Sequence, residues 1–232
     1  MSTTAAGFKQ DFLDRLFGRV AGRYDLVNAV QSFGTDAALR RGAAAYAGGG
    51  LILDAGAGSG DVARACLRAG AVRVVCLDRS VAMLARARAK LAPFGGRALF
   101  VIGDVRRLPF KEDVFDGAVS GFVFRNLPLD PSWLTDVNRV MKVGGVFASV
   151  DLFAPPAGVW GILYGFYLRY TLPLWGRFLA GDAAAYRYLV GSVNRCFTAA
   201  AFAACLEEAG FVSPVLQKKL GGVAYVVAAR AR

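Results

Sequence analysis

Histidine is missing from this chain of 232 residues. Its absence excludes a Ser–His or Cys–His nucleophile pair and leaves any general base to a carboxylate, a tyrosine or a water chain. Cysteine is scarce: Cys66, Cys76, Cys196 and Cys205 form no C-x-x-C pair. With no imidazole to help, that spacing excludes a zinc site, and reduced structural thiols of a cytosolic protein are expected. Acids are outnumbered, 17 against 28 Lys and Arg, for a net charge of +11. Such an excess suits anionic surroundings, lipid headgroups or nucleic acid, with genomic composition bias as the plain alternative. No apolar run is long enough to span a bilayer. The strongest, Val159-Trp-Gly-Ile-Leu-Tyr-Gly-Phe-Tyr-Leu-Arg-Tyr-Thr-Leu-Pro-Leu-Trp175, is interrupted by Arg169 and Pro173. It falls short of the roughly 20 apolar residues a span needs. A helix lying on a membrane, or a lid over an apolar substrate, fits it better. Nor does Met1-Ser-Thr-Thr-Ala-Ala-Gly-Phe-Lys9 carry the apolar block that export requires.

Apolar residues are in surplus, 56% of the chain with a mean hydropathy of +0.42. The excess implies a deep apolar pocket, a membrane-facing surface or a partner. The most informative stretch is Leu51-Ile-Leu-Asp-Ala-Gly-Ala-Gly-Ser-Gly-Asp61. It reads as a buried strand, a tight loop and a helix N-terminus, where glycines let a nucleotide-like ligand lie against bare main chain. A second strand, Val72-Arg-Val-Val-Cys-Leu-Asp78, also ends in a carboxylate, which can accept both protons of a ribose diol. NAD-binding folds share that acid, but their fingerprint is G-x-G-x-x-G. The spacing here, Gly56-x-Gly58-x-Gly60, favours S-adenosylmethionine (SAM) and a methyltransferase.

Strand and helix patterns alternate along the chain. The segment 8–45 reads as helical with a polar break at Gly22-Arg-Tyr-Asp25. Strands are expected at 51–54, 72–77, 98–102, 115–122, 146–151, 212–216 and 223–229. Helices are expected at 81–91 after a Ser80 cap, at 132–141 up to Val143-Gly-Gly145, and at 198–209 after a Thr198 cap. The alternation predicts an α/β fold, a doubly wound, mostly parallel seven-stranded sheet. One domain is expected over 1–232, with a helical segment at 1–46 and an aromatic-rich cap at 152–197. Ligands of such sheets sit at the strand C-termini, so Asp54, Asp78, Asp104 and the Arg125-Asn126 pair should ring one crevice.

Five segments resemble the ubiquinone/menaquinone biosynthesis C-methyltransferases. They are Val20-Ala-Gly-Arg-Tyr-Asp-Leu-Val-Asn28 with Ser32-Phe-Gly34, the loop from Leu53 to Asp61, Leu77-Asp-Arg-Ser-Val-Ala-Met-Leu84, Gly103-Asp-Val-Arg-Arg-Leu-Pro-Phe110, and Phe122-Val-Phe-Arg-Asn126. The Arg-Asn pair and the Tyr-Asp-x-x-Asn signature are the specific ones; Arg139-Val-Met-Lys-Val-Gly-Gly145 is shared by many class I methyltransferases. The resemblance implies the class I (Rossmann-like) methyltransferase fold. It implies that Asp54, Gly56, Gly58, Ser59 and Gly121 border SAM, that Asp78 with Arg79 binds the ribose, and that Asp104 and the Val105 backbone face the adenine. Arg125 and Asn126 would meet a quinol's oxygens, with Tyr24 and Asp25 closing over the cofactor. The sequence departs from the family at Gly121, usually Ser; Asp36, usually His; Leu39, usually Trp; and Asp151, usually Glu.

Methylating a quinol ring carbon needs an electron-rich ring in line with the sulfonium methyl, so the protein supplies orientation and charge stabilisation. Arg125 suits a developing phenolate, Asn126 can fix the ring, and Asp78 is the candidate base in a network with that pair. A polyprenyl tail would account for the apolar surplus, with Trp160, Leu163, Phe166, Tyr167 and Tyr170 on one helical face as lid and tail channel. That places the expected protein in the cytoplasm, in peripheral contact with the membrane, with an oligomer compatible. An ordinary buried cap helix is the competing reading of that block. Two rivals stay open: an RNA or small-molecule methyltransferase, and a non-catalytic SAM-binding partner of a quinone-synthesis complex. Nucleic acid is disfavoured, because an Asn-Pro-Pro-Tyr-type motif, a catalytic Cys motif and an RNA-binding domain are all lacking.

Overall fold

Apolar runs bounded by glycines and helix caps fold here into strands and covering helices. The computed structural model describes residues 32, 34–154, 158–167, 170 and 197–232. Its helices are α1 (Asp36–Ala47), α2 (Asp61–Arg68), α3 (Val81–Leu91), α4 (Pro131–Val140), α5 (Val159–Phe166) and α6 (Ala199–Glu208). Its strands are β1 (Leu51–Ala55), β2 (Arg73–Asp78), β3 (Ala98–Ile102), β4 (Phe115–Gly121), β5 (Met141–Leu152), β6 (Val212–Lys219) and β7 (Ala224–Arg230). They form one seven-stranded sheet in the order β3-β2-β1-β4-β5-β7-β6. β1 to β5 pair in parallel, whereas β7 runs antiparallel to both its neighbours. This is the class I methyltransferase architecture that the alternation of elements predicts.

Three helix starts follow from side-chain caps. Ser80 Oγ accepts from the Met83 N–H, Asp130 Oδ1 from Ser132 with Pro131 in the first turn, and Thr198 Oγ1 from Ala201. The Ser80 and Thr198 caps are each worth about 1 kcal/mol. Strand alternation then sorts the core. Ile52 packs with Leu39, Val119 and Val150 on one face of the sheet. Leu53 and Ala55 face Phe124, Trp133 and Phe147 on the other.

One boundary differs from expectation. The glycines Gly144 and Gly145 were expected to stop α4 and precede β5, but α4 already ends at Val140 and β5 begins at Met141. The register between β4 and β5 shifts between Phe115 and Gly117, and Gly144 takes φ +81°. A Cβ on Gly145 would lie 2.8 Å from the Asp116 carbonyl oxygen, so a glycine is needed where the two strands meet irregularly. The expected helix at 8–31 and the cap at 171–196 lie outside the described residues. No helix among the described residues is long and apolar enough to cross a membrane.

Candidate functional site

The strand order reverses between β1 and β4, so the carboxyl ends of these strands open on the crevice where such sheets bind ligands. The loop after β1 forms one wall. Gly56, Gly58 and Gly60 take φ of +78°, +52° and +84°, a region that strains any residue with a Cβ. Space is short as well: a Cβ on Gly56 would lie 2.6 Å from Val123 Cγ2. The end of β2 holds the loop in place. Gly56 and Ala57 N–H both donate to the Leu77 carbonyl at 2.9 Å, and Gly58 N–H donates to Asp78 Oδ2 at 2.8 Å. Asp78 Oδ1 accepts from Ser80 N–H at 2.9 Å, steering the chain into α3. Asp78 thus places an anchored carboxylate, a group able to accept from hydroxyls, at the end of β2.

Two residues expected at the ligand are turned inward. Asp54 is wholly buried, and its Oδ2 accepts from the Ala63 N–H at 2.9 Å, so it holds the start of α2 from beneath the loop. Burial pushes its carboxyl up to about 7, aided by Asp78 and Asp61 and opposed by the Ala63 N–H and Arg40. Ser59 is 3% exposed, with its hydroxyl near Asp61 Oδ2 at 3.3 Å and accepting from Lys90 Nζ at 3.1 Å. Gly56 and Gly58 are half-buried, so their main chain is the accessible part of this loop among the described residues. Asp104 follows β3 and is gripped by Arg106 at 2.6 Å and Arg79 at 3.5 Å. Burial works upward on its carboxyl, but hydrogen bonds and charge from these arginines outweigh it and hold it below the ordinary range. The Val105 side chain is buried in the core.

The turn after β4 forms the other wall. Phe122 continues the ladder, donating its N–H to the Val150 carbonyl at 2.8 Å, then takes φ +60°. A bulky residue rarely adopts that conformation, and such strain gathers at functional sites. The 3-10 turn Phe124–Asn126 follows. Phe124 fastens it to the core by stacking on Trp133 with ring centroids 4.5 Å apart. Asn126 Nδ2 donates to the Phe122 carbonyl at 3.4 Å. The Arg125 side chain is 1% exposed, and its Nε and Nη1 have no hydrogen-bond acceptor among the described residues.

The carboxylate facing Arg125 is Asp151. Strand order gives the reason. Asp151 sits at the end of β5, directly beside β4, whereas Asp78 ends β2, two strands away, roughly 10 Å at the usual strand spacing. Burial drives the Asp151 carboxyl upward, against Arg125 and the backbone N–H donors of Arg125, Leu152 and Phe124. Tyr164 of α5 was not singled out from the sequence, yet it is 1% exposed and lies close enough for the Arg125 charge to favour its phenolate, while burial pushes that phenol up. Of the face expected to form a lid and tail channel, Trp160, Leu163, Phe166 and Tyr170 are exposed, against the alternative of an ordinary buried helix. A signal for Tyr164 was present in its hydroxyl, the feature that separates it from Leu163. Gly121 closes β4, and a Cβ there would lie 2.6 Å from Val62 Cγ2. Tyr24 and Asp25 lie outside the described residues.

A glycine cradle beside a carboxylate, a group that can accept from both hydroxyls of a ribose diol, suits a nucleoside, so the residues present fit SAM. A model of the ubiE/COQ5 methyltransferase family matches residues 5–230. The chain is 35% identical over 215 residues to the ubiquinone/menaquinone biosynthesis C-methyltransferase UbiE of Desulfotalea psychrophila, covering 90% of this chain and 86% of that protein. It is 36% identical over 200 residues to the demethylmenaquinone methyltransferase of Thermus thermophilus, covering 84% and 91%. A solved SAM-dependent methyltransferase of Thermotoga maritima matches with a TM-score of 0.66 at 17% identity, over 94% of this chain and 99% of the other, a likeness of fold alone. Fold, loop and sequence therefore agree, and the chain belongs to the ubiE/COQ5 methyltransferase family.

Proposed function

We propose that this protein transfers a methyl group from SAM to a ring carbon of a reduced prenylated quinone, demethylmenaquinol or a close analogue. The observation that carries the reading is Arg125: a permanent cation at the crevice, with buried Nε and Nη1 lacking acceptors. Buried donors normally have partners, and a quinol oxygen would complete them. The substrates named for the relatives from Desulfotalea psychrophila and Thermus thermophilus supply the ring chemistry.

Bound SAM would supply a methyl already activated on its sulfonium. The Gly56–Gly58 main chain would hold its amino-acid end, Asp78 its ribose, and Asp104 with the Val105 backbone its adenine; Tyr24 belongs to the same proposed set. Arg125 lowers the pKa of the ring hydroxyl by favouring the phenolate, which raises the nucleophilicity of the neighbouring carbon. With no histidine in the chain, that proton passes to a carboxylate, a tyrosine or a water chain. Asn126 orients the ring by offering both a donor and an acceptor. The outward aromatic face of α5 supports a peripheral contact with the cytoplasmic membrane surface, where a prenylated substrate resides.

The test combines purified protein, methyl-labelled SAM and chemically reduced demethylmenaquinone in detergent, with bulk tRNA as a parallel acceptor. Label is expected on the quinol ring; label on tRNA alone overturns the reading. Arg125→Ala is expected to abolish turnover while SAM affinity stays within about threefold, a loss confined to the reaction rather than cofactor binding.

A further inference from the structure

We infer that Asp151 is the positioning residue for Arg125: it supplies the countercharge to the guanidinium while leaving the N–H donors available to the acceptor ring. The inference rests on the role of Arg125 proposed above.

Register brings the two together. Gly121 pairs with Val150 across β4 and β5, so the chain leaving β4 passes beside residue 151. Both side chains are 1% exposed. Asp151 Oδ2 accepts from the Arg125 backbone N–H at 3.1 Å, and Oδ1 accepts from the Leu152 N–H at 2.8 Å. These two donations fix the plane of the carboxylate and favour its ionised form. Arg125 Nη1 stands 3.8 Å from Oδ1, outside hydrogen-bond distance but well within range of charge compensation.

This separation is informative. A purely structural Arg–carboxylate pair would close into a bidentate fork and satisfy its own donors. Here backbone N–H groups fix the plane of the carboxylate, and the cation is balanced in charge but left without hydrogen-bond acceptors at Nε and Nη1 among the described residues. Phe122 limits the other direction, its ring centroid 5.3 Å from the guanidinium carbon. Asp151 thus acts twice on one residue, fixing the backbone of Arg125 and holding its head group, without consuming the donors a substrate oxygen would need.

Four variants test this: Asp151→Asn, Asp151→Glu, Arg125→Ala and the double variant Asp151→Asn/Arg125→Ala. Each is assayed for kcat and KM with reduced demethylmenaquinone, for SAM affinity and for thermal midpoint. Asp151→Asn is expected to lower kcat about 100-fold, the scale of a small misplacement of a reacting group, with KM and SAM affinity within about threefold. Asp151→Glu keeps the charge and is expected to restore kcat to within a few-fold of the parent. In thermal midpoint, Asp151→Asn is expected to cost less in the Arg125→Ala background than in the parent, because the two act as a unit. If Asp151→Asn alone does not fold, the double variant must recover the midpoint, since it removes the unpaired buried cation; no recovery overturns the inference. Normal kcat in Asp151→Asn, or failure of Asp151→Glu to restore it, also overturns the inference. Normal turnover in Arg125→Ala overturns the assignment of Arg125 itself, a separate result.

Discussion

Asp54 is sealed from water, and its Oδ1 has no hydrogen-bond partner among the described residues. The groups around it are Asp78, Asp61 and Arg40, with the Ala63 N–H on Oδ2 and the thiols of Cys66 and Cys76 close by. Burial, the largest influence, raises its carboxyl from 3.8 to about 7. The native state therefore keeps a proton that the unfolded chain releases between these values. Asp54 contributes stability in full below about pH 4, and that contribution is lost as the pH rises through about 7. Asn can still accept from Ala63 and carries no charge. Asp54→Asn is thus expected to gain on the parent between pH 4.5 and 7.5, by at most on the order of 4 kcal/mol. Urea unfolding of both proteins at the two pH values measures the gap; a gap independent of pH would refute the burial argument.

Where elements meet, the room around Gly121 decides which residue fits. The end of β4 packs so closely on α2 that Val62 occupies the volume a side chain at 121 would need. Gly121→Ser is expected to cost about 1–3 kcal/mol by overpacking, and Val62→Ala to remove most of that cost. Thermal midpoints of the single and double variants check it, a strictly additive loss arguing against contact. The elements themselves were legible in the sequence, because strand length, period and caps such as Ser80 and Thr198 are local signals. The carboxylates and glycines at strand ends were legible for the same reason. The partnership of Arg125 with Asp151 was not, since it depends on which strand lies beside β4, and 26 residues separate the two. The contact of Ser59 with Lys90, 31 residues away, and the approach of Tyr164 to Arg125 likewise depend on segments distant in sequence.

At the scale of the whole molecule, a net charge of +11 accompanies an apolar helix that leaves Trp160, Ile162, Leu163 and Phe166 exposed. Trp160 Nε1 donates to the Leu220 carbonyl at 3.1 Å, tying α5 to the turn between β6 and β7. A charged body with a fixed apolar face suits an anionic bilayer surface. Co-sedimentation with anionic vesicles is expected, weakening with salt and absent with neutral vesicles, and Ile162→Ser/Phe166→Ser is expected to reduce it severalfold. No binding at low salt would sink the membrane reading.

The position of β7 has a consequence for synthesis. It is later in the chain than both strands it separates, β5 and β6. While the chain emerges from the ribosome, β5 is finished long before its antiparallel partner exists, and its open edge can pair with another nascent chain. The sheet closes only when residues 224–230 slot into place, so a message truncated shortly before them would leave an aggregating remnant rather than a smaller enzyme.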